Sequence, residues 1–276
     1  MSASLLAPLS GDFGLASACE LLLIGAACGA VGVWVLHFGR AILAESFSHA
    51  LLPGLVLAAM VGAGLFFGAI AGVVLAYLLL LASGRAPSTS LPTANSVTVT
   101  TLVALGALLA SSGAGVAQFE SLLFGDPLAS SWRDVATAAV FAIVAFAALA
   151  VLGGRFAALA FDPGAAPALG VNTARVSAAA LALLAVSVSV AANVSGTLLA
   201  LALVTGPALG ASAISHRLRP ALAVAALAGA FSGVAGIYLS YYADWPASAS
   251  IALVICLWTL LASAFGRISP GRAGVA

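Results

Sequence analysis

Glu45 and His49 combine two residue types and a spacing that suit metal binding. They lie in the segment AESFSHALLPG, residues 44–54, within a long apolar stretch. Side chains four residues apart lie on one face of a helix, with Cβ atoms roughly 6 Å apart, so both can reach the same ion. An imidazole beside a carboxylate suits Zn²⁺ or Mn²⁺. The spacing predicts two ligands of a metal site, and the alternative is a Glu–His hydrogen bond that only fixes helix packing.

Pro53 follows His49 by four residues. A proline inside a helix leaves a backbone carbonyl without its N–H donor and bends the helix. A bend next to two ligands suits a gate, which is the role we predict for Pro53. Prolines are also tolerated in membrane helices without any special role, so a purely structural interpretation stays open.

The composition places these residues in a membrane. Of 276 residues, 63% are hydrophobic and 6% are charged, whereas soluble proteins carry about 25% charged residues. Apolar runs of about 20 residues can span a bilayer as helices. The sequence therefore predicts an all-α, polytopic transmembrane helix bundle with about eight or nine spans, forming a single transmembrane domain over residues 1–276. The predicted spans are 17–38, 41–62, 64–83, 95–112, 134–154, 174–191, 197–214, 220–241 and 249–265.

The charged residues predict an orientation. With the C-terminus in the cytoplasm, every arginine except Arg133 falls on the inner side, as the positive-inside rule expects. The acids placed on the outer side are Asp12, Glu20, Glu120, Asp126, Asp134 and Asp244. The arginines are scattered and the net charge is +1, so we expect no nucleic-acid partner.

Motifs for enzymatic chemistry are missing from this sequence. It contains no lysine, so it cannot carry the GxxxxGK[ST] loop that binds nucleotide phosphates, and any ATP hydrolysis must come from another subunit. It also lacks HExxH and the Ser–His or paired-aspartate arrangements of an intramembrane enzyme. We therefore expect a subunit that is not itself an enzyme.

The segment RFAALAFDPGAAPALGV, residues 155–171, predicts a short helix on the inner side. Asp162 can cap a helix that begins at Pro163, because proline is preorganised for the first helical position, and Gly170 can end it. Such a helix could dock onto a soluble partner or simply lie at the membrane interface.

Other stretches predict packing. Two glycine series allow close helix contacts: Gly64, Gly68 and Gly72, and Gly229, Gly233 and Gly236. Residues 119–125, FESLLFG, could dip back into the membrane.

Five stretches, in order, resemble the membrane-spanning subunits of ABC importers for zinc, manganese and iron. They are AESFSHALLPG, SLLFGDPL, FDPGAAPALGV, SGTLLALALVTGPALGAS and YYADWPASASIAL. The resemblance implies a permease that moves a divalent metal ion across the cytoplasmic (inner) membrane and holds no permanent cofactor. It implies as partners a second permease copy in a homodimer, two cytoplasmic ATPase subunits and an external metal-binding protein.

The resemblance also implies roles for individual residues. The acid and histidine that line the family's metal path correspond to Glu45 and His49, with Glu45 in place of the family's aspartate. The helix that rests on the ATPase corresponds to the FDP…LG residues, which here are Phe161, Asp162, Pro163, Leu169 and Gly170.

Two other kinds of transporter are alternatives. One is an ABC permease for metal chelates of the vitamin B12 or siderophore type, which would leave an intramembrane Glu–His pair unexplained. The other is a proton-coupled secondary carrier with Glu45 as the relay and His49 as its helper.

Overall fold

The computed structural model describes residues 8, 12–39, 41–83, 90–111, 125–215 and 217–268. Along these ranges run α1 (Asp12–His37), α2 (Ala41–Val61), α3 (Leu65–Ser83), α4 (Leu91–Leu109), α5 (Trp132–Phe161), α6 (Thr173–Ile214), α7 (Leu218–Ala243) and α8 (Ala247–Ile268), with a 3-10 helix, Ala166–Leu169, between α5 and α6. In this described part, all but α3 are long and apolar enough to cross a membrane, and α3 holds a shorter apolar stretch, Phe67–Leu80. The prediction of an all-α bundle with eight or nine spans is confirmed. The predicted re-entrant segment lies outside the described residues except for Gly125.

Helix α6 contains a sharp break. It has 42 residues, which would extend about 63 Å as a straight helix, roughly twice the hydrocarbon thickness. Gly196 interrupts it with φ 76° and ψ 166°, a backbone conformation that is accessible essentially only to glycine. The segments 173–195 and 197–214 on either side correspond to the two spans that the sequence predicts there.

The helices pack as two groups joined by α6. Helix α1 packs against α5, α6 and α7, while α2 packs against α3, α4 and α6, and α8 packs against α6 and α7. The main core cluster includes Leu21, Phe47, Leu51, Leu203 and Ile251 from four different helices. Because α6 packs against helices of both groups, a movement of α6 would change the packing in both.

The two ends of the bundle differ in charge. Helix α1 runs antiparallel to α7, since Gly25 lies against Gly229 and Gly29 lies against Ala225. One end of the bundle carries the α1–α2, α5–α6 and α6–α7 connections, with Arg155, Arg175, Arg217 and Arg219 close by, and we call it the arginine-rich end. The opposite end carries residues 62–64, 125–131 and 244–246, with Arg133 in the first turn of α5. This distribution agrees with the predicted orientation, in which the arginine-rich end is cytoplasmic.

Glycines bring helix backbones into direct contact. A Cβ atom at Gly229 would collide with the carbonyl of Gly25, and one at Gly72 with the carbonyl of Ala50. Gly68, Gly233 and Gly236 are similarly crowded, which confirms the predicted packing at five of the six glycines. The prediction is wrong for Gly64, which precedes α3 and where a Cβ would meet only the nearby ring of Phe67.

Replacing Gly229 by alanine should destabilise the bundle by about 1–3 kcal/mol, because the backbones of α1 and α7 would have to separate. Gly154 in α5 is the matched control, since a Cβ there meets nothing within 4 Å. Gly154→Ala should be neutral or stabilise the helix by up to about 1 kcal/mol. Thermal unfolding of the purified subunit in nanodiscs measures both, and equal midpoints for the two variants would contradict the packing argument.

Candidate functional site

Helix α2 carries Glu45 and His49 on successive turns. The helix begins at Ala41, so the two residues lie about 6 and 12 Å along its axis from the arginine-rich end. Glu45 is exposed and His49 is half-buried, although both belong to a helix whose other residues are mostly buried. The structure therefore places both predicted ligands on one face of a membrane helix.

The imidazole of His49 has an unused nitrogen. Its Nδ1 atom is buried and has no hydrogen-bond partner in the described part of the chain. Glu45 is close enough to interact electrostatically with the ring. A packing hydrogen bond between Glu45 and His49, the structural alternative, does not use Nδ1. A ring nitrogen and a carboxylate are two of the ligand types that divalent transition metals bind.

Contacts on the other faces of α2 hold this pair in place. The Ser46 hydroxyl donates to Oδ1 of Asn95, a buried residue of α4. The Ser48 hydroxyl donates to the carbonyl of Ala44 over 2.9 Å. Toward the opposite end, Gly54 of α2 lies directly against the backbone of Gly68 in α3. Helices α3, α4 and α6 pack against α2, whereas Glu45 itself is exposed.

Pro53 is buried in the middle of α2, and the helix continues beyond it to Val61. A Cβ at Gly106 of α4 would lie 3.3 Å from the Pro53 nitrogen, so α4 packs closely at this point. Residue 53 would normally donate its N–H to the carbonyl of His49, and proline cannot. Pro53 therefore leaves the backbone oxygen of His49 without a helical partner, next to the predicted ligands. The gating role of Pro53 stays a prediction.

One copy of the chain offers only part of a metal site. Among the described residues, no group of three or more His, Cys, Asp or Glu side chains is positioned to hold a metal ion. Zinc in proteins is almost always bound by four ligands, and Glu45 with His49 supplies two. A four-coordinate ion would need two further ligands beyond this pair.

The predicted inner helix is present, but it begins later than predicted. Asp162 Oδ1 accepts hydrogen bonds from the N–H groups of Gly164, at 3.0 Å, and Ala165, at 2.9 Å. These bonds close a turn over 163–165, and the helix is a 3-10 helix that starts at Ala166 instead of Pro163. The start is displaced because the Asp162 side chain caps this turn first. Gly170 ends the helix with φ 73°, as predicted.

This connection, residues 161–170, has an anchored side and an exposed side. Ala166 is fully buried in a cluster with Trp34, Phe156, Leu159 and Val176, which joins the connection to α1, α5 and α6. Phe161 and Leu169 are 72% and 71% exposed, although both are large and apolar. An apolar pair presented at the arginine-rich end, on a segment anchored to three helices, is suited to contact another protein.

The opposite end has a cavity of about 550 Å³. Its lining includes Asp126, Tyr241, Asp244 and Trp245. Tyr241 and Trp245 are about half exposed, as is common for aromatic side chains at the membrane–water boundary. The bundle is thus acidic and aromatic at one end and basic at the other.

These features define a polytopic membrane protein with an acid and a histidine on one face of a membrane helix and, at its arginine-rich end, an anchored connection that exposes two large apolar side chains. The sequence profile of the ABC 3 transport family matches residues 13–266. The chain therefore belongs to this family.

Relatives that match this chain over most of its length are named as metal transport proteins. The chain is 32% identical over 250 residues to the manganese transport system membrane protein MntC of Halalkalibacterium halodurans, covering 88% of this chain and 83% of that protein. It is 27% identical over 237 residues to the manganese import system permease protein ScaB of Streptococcus gordonii, covering 86% and 85%. It is 24% identical over 262 residues to the chelated iron transport system membrane protein YfeC of Yersinia pestis, covering 93% and 86%.

Two solved structures share the fold. PsaBC from Streptococcus pneumoniae in complex with Fab superposes with a TM-score of 0.85 at 24% identity, covering 92% of both chains. An inward-facing metal-chelate type ABC transporter superposes with a TM-score of 0.69 at 21% identity, covering 91% of this chain and 87% of the other. The fold is therefore that of ABC transporter membrane subunits.

Proposed function

We propose that this chain is the membrane-spanning subunit of an ABC importer that carries a divalent metal ion, manganese, zinc or iron, across the inner (cytoplasmic) membrane. The observation that carries the proposal is the exposed Glu45 beside the unpartnered Nδ1 of His49 on an otherwise buried membrane helix. An ionised acid costs about 2.5–3.5 kcal/mol at the centre of a membrane helix and less toward its ends, so Glu45, one turn into α2, should face an aqueous path or a second subunit. The manganese and iron transport named for the relatives supports the same cargo.

The proposed assembly is a homodimer. A twofold axis beside the Glu45 face would bring two carboxylates and two imidazoles together, which is enough for a four-coordinate ion. The site should hold the ion only transiently, because conduction needs a site that an ion can leave as readily as it enters. Pro53, which leaves the His49 carbonyl unpaired, is placed to let α2 bend as the ion passes.

The remaining partners follow from the two ends of the bundle. Two cytoplasmic ATPase subunits would bind the connection formed by Phe161, Asp162, Pro163, Leu169 and Gly170 at the arginine-rich end. An external metal-binding protein would deliver the ion at the opposite end, where the cavity with Asp126 and Asp244 opens. The whole chain, residues 1–276, would act as one permease domain without a permanently bound cofactor.

Both alternative transporters fit less well. The metal-chelate type transporter has the lower TM-score of the two solved structures, 0.69 against 0.85. In addition, a path wide enough for a chelate would not need Glu45 and His49 as metal ligands. A proton-coupled carrier would use Glu45, but such carriers are not driven by ATPase subunits, whereas the chain belongs to an ABC transport family.

Reconstitution tests the proposal. Proteoliposomes that contain the permease, its ATPase subunit and its metal-binding protein should accumulate manganese, zinc or iron only when ATP is present on the cytoplasmic side. Collapsing the proton gradient should leave the uptake unchanged. Accumulation that needs a proton gradient and no ATP would instead establish the carrier, and uptake of a chelate but not of the free metal would establish the chelate permease.

A further inference from the structure

A histidine that the proposed metal path does not use contacts an exposed aromatic ring at the arginine-rich end. Phe161, the last residue of α5, is 72% exposed. Its ring packs on that of His37, the last residue of α1, in an edge-to-face arrangement with the ring centroids 6.2 Å apart. The contact therefore joins the ends of two membrane helices at the point where the connection to α6 begins.

The imidazole of His37 is held by its own helix. Its Nδ1 atom lies 2.7 Å from the carbonyl oxygen of Val33, four residues earlier. A carbonyl oxygen can only accept, so the proton of this hydrogen bond must lie on Nδ1. The bond restricts the rotation of the imidazole and fixes it against the last turn of α1.

The same imidazole contacts the buried part of the bundle. Its centroid lies 6.5 Å from that of Trp34, which is buried and packs in turn on the buried ring of Phe156 at 5.4 Å. Ring contacts thus lead from Phe156, through these two side chains, to the exposed Phe161. His37 is the member of this series that joins the core to the surface.

We propose that His37 is a positioning residue, which holds the ring of Phe161 in place for contact with the ATPase subunit. An exposed phenylalanine that can change rotamer has to be immobilised when a partner binds, and this lowers the affinity. Aromatic rings favour the edge-to-face geometry, so an imidazole that is itself fixed favours one position of Phe161 before the partner arrives. This role rests on the proposed function, because it concerns the connection that the ATPase subunits would bind.

Fluorine NMR tests the positioning in the permease alone. The subunit is prepared in nanodiscs with 4-fluorophenylalanine at position 161. His37→Asn keeps an N–H group for the carbonyl of Val33 but has no ring, so the fluorine resonance should narrow as the Phe161 ring becomes mobile. His37→Phe keeps a ring at this position and should leave the resonance broad.

Leu36→Ala is the matched control for a general loss of packing. Leu36 is the preceding residue of α1, and it packs against a different cluster that includes Ala208 of α6 and Ala225 of α7. Its truncation should lower the unfolding temperature of the subunit but leave the fluorine resonance of Phe161 broad. A resonance that narrows equally in Leu36→Ala and His37→Asn would assign His37 to ordinary packing and overturn the proposal.

Binding of the purified ATPase subunit to the permease in nanodiscs gives the functional readout. His37→Asn should weaken this binding about three- to tenfold, the size expected for the loss of one aromatic pair. The rate of ATP hydrolysis at a saturating concentration of ATPase subunit should stay near that of the wild type, because the assembled complex is the same. His37→Phe should bind nearly as tightly as the wild type.

Two results would overturn the role of His37: an unchanged fluorine resonance in His37→Asn, or unchanged affinity of that variant for an ATPase subunit that the wild type binds. If the wild type itself binds no ATPase subunit, the proposed function fails, and the role of His37 fails with it. If His37→Asn does not fold, His37→Leu, which also lacks an aromatic ring, takes its place in both measurements.

Discussion

Replacing His49 by alanine should lower metal uptake by more than about 100-fold while the subunit still folds and dimerises. Even residues that only orient a metal ligand typically cost 10–100-fold in affinity or activity when they are changed, and His49 is proposed as a ligand itself. Its Nδ1 makes no hydrogen bond to the described residues, so the substitution breaks no such contact with them. Uptake of radioactive manganese or zinc by the reconstituted transporter measures the effect.

Two companion variants sharpen this test. Ser48→Ala changes the neighbouring residue, whose hydroxyl bonds only the carbonyl of Ala44 in its own helix, and it should leave uptake within about twofold of the wild type. Glu45→Asp keeps the carboxylate and should retain uptake with a changed preference between metals, because the shorter side chain moves the oxygens toward the helix. Normal uptake by His49→Ala would refute the metal path at α2. Failure of that variant to fold would instead assign His49 to packing.

The helices could be predicted from the sequence because a helix that spans a bilayer needs about 20 mostly apolar residues in a row. The residues at which the helices end could be predicted less precisely. The span predicted at 134–154 is part of α5, Trp132–Phe161, because the helix extends past the apolar run to its capping residues. Ser131 and Asp134 form a hydrogen-bonded cap at one end, with 2.9 Å between the Ser131 nitrogen and Asp134 Oδ2, and Asp162 follows the last residue at the other. Hydropathy alone does not register such caps.

The same limit applies to the candidate site. The spacing of Glu45 and His49 already predicts a shared helix face, since that depends only on helix periodicity. The bond from Ser46 to Asn95 joins residues 49 positions apart, and the contact between Glu20 and Ser130 joins still more distant ones. No local pattern contains these pairings. The available signal was a polar residue within an apolar run, and it marks Asn95 and Glu20 without naming their partners.

The second large effect is expected at the connection between α5 and α6. Gly170 ends the 3-10 helix at φ 73°, where a side chain costs roughly 1–2 kcal/mol, and a β-branched residue is a genuine outlier in this conformation. Gly170→Val should therefore displace Leu169, one of the two exposed apolar residues proposed to contact the ATPase. A Cβ at Gly170 meets nothing within 4 Å, so the strain is confined to the backbone. The anchored side of the connection, around Ala166, should persist.

This displacement should uncouple transport from ATP hydrolysis. A strain of about 1–2 kcal/mol corresponds to a factor of about 5–30 in an equilibrium. In Gly170→Val, the stimulation of ATPase activity by the loaded metal-binding protein should therefore fall by about that factor. Expression and unfolding temperature of the subunit should stay close to normal. Gly164→Val is the matched control, because Gly164 lies in the same connection without a positive φ and its N–H bond to Asp162 survives the substitution. Asp162→Lys, which removes the cap on the turn, should behave like Gly170→Val. If both Gly170→Val and Asp162→Lys keep normal ATPase stimulation and metal uptake, this connection is only structural. The exposed Phe161 and Leu169 would then contact lipid headgroups and not an ATPase subunit.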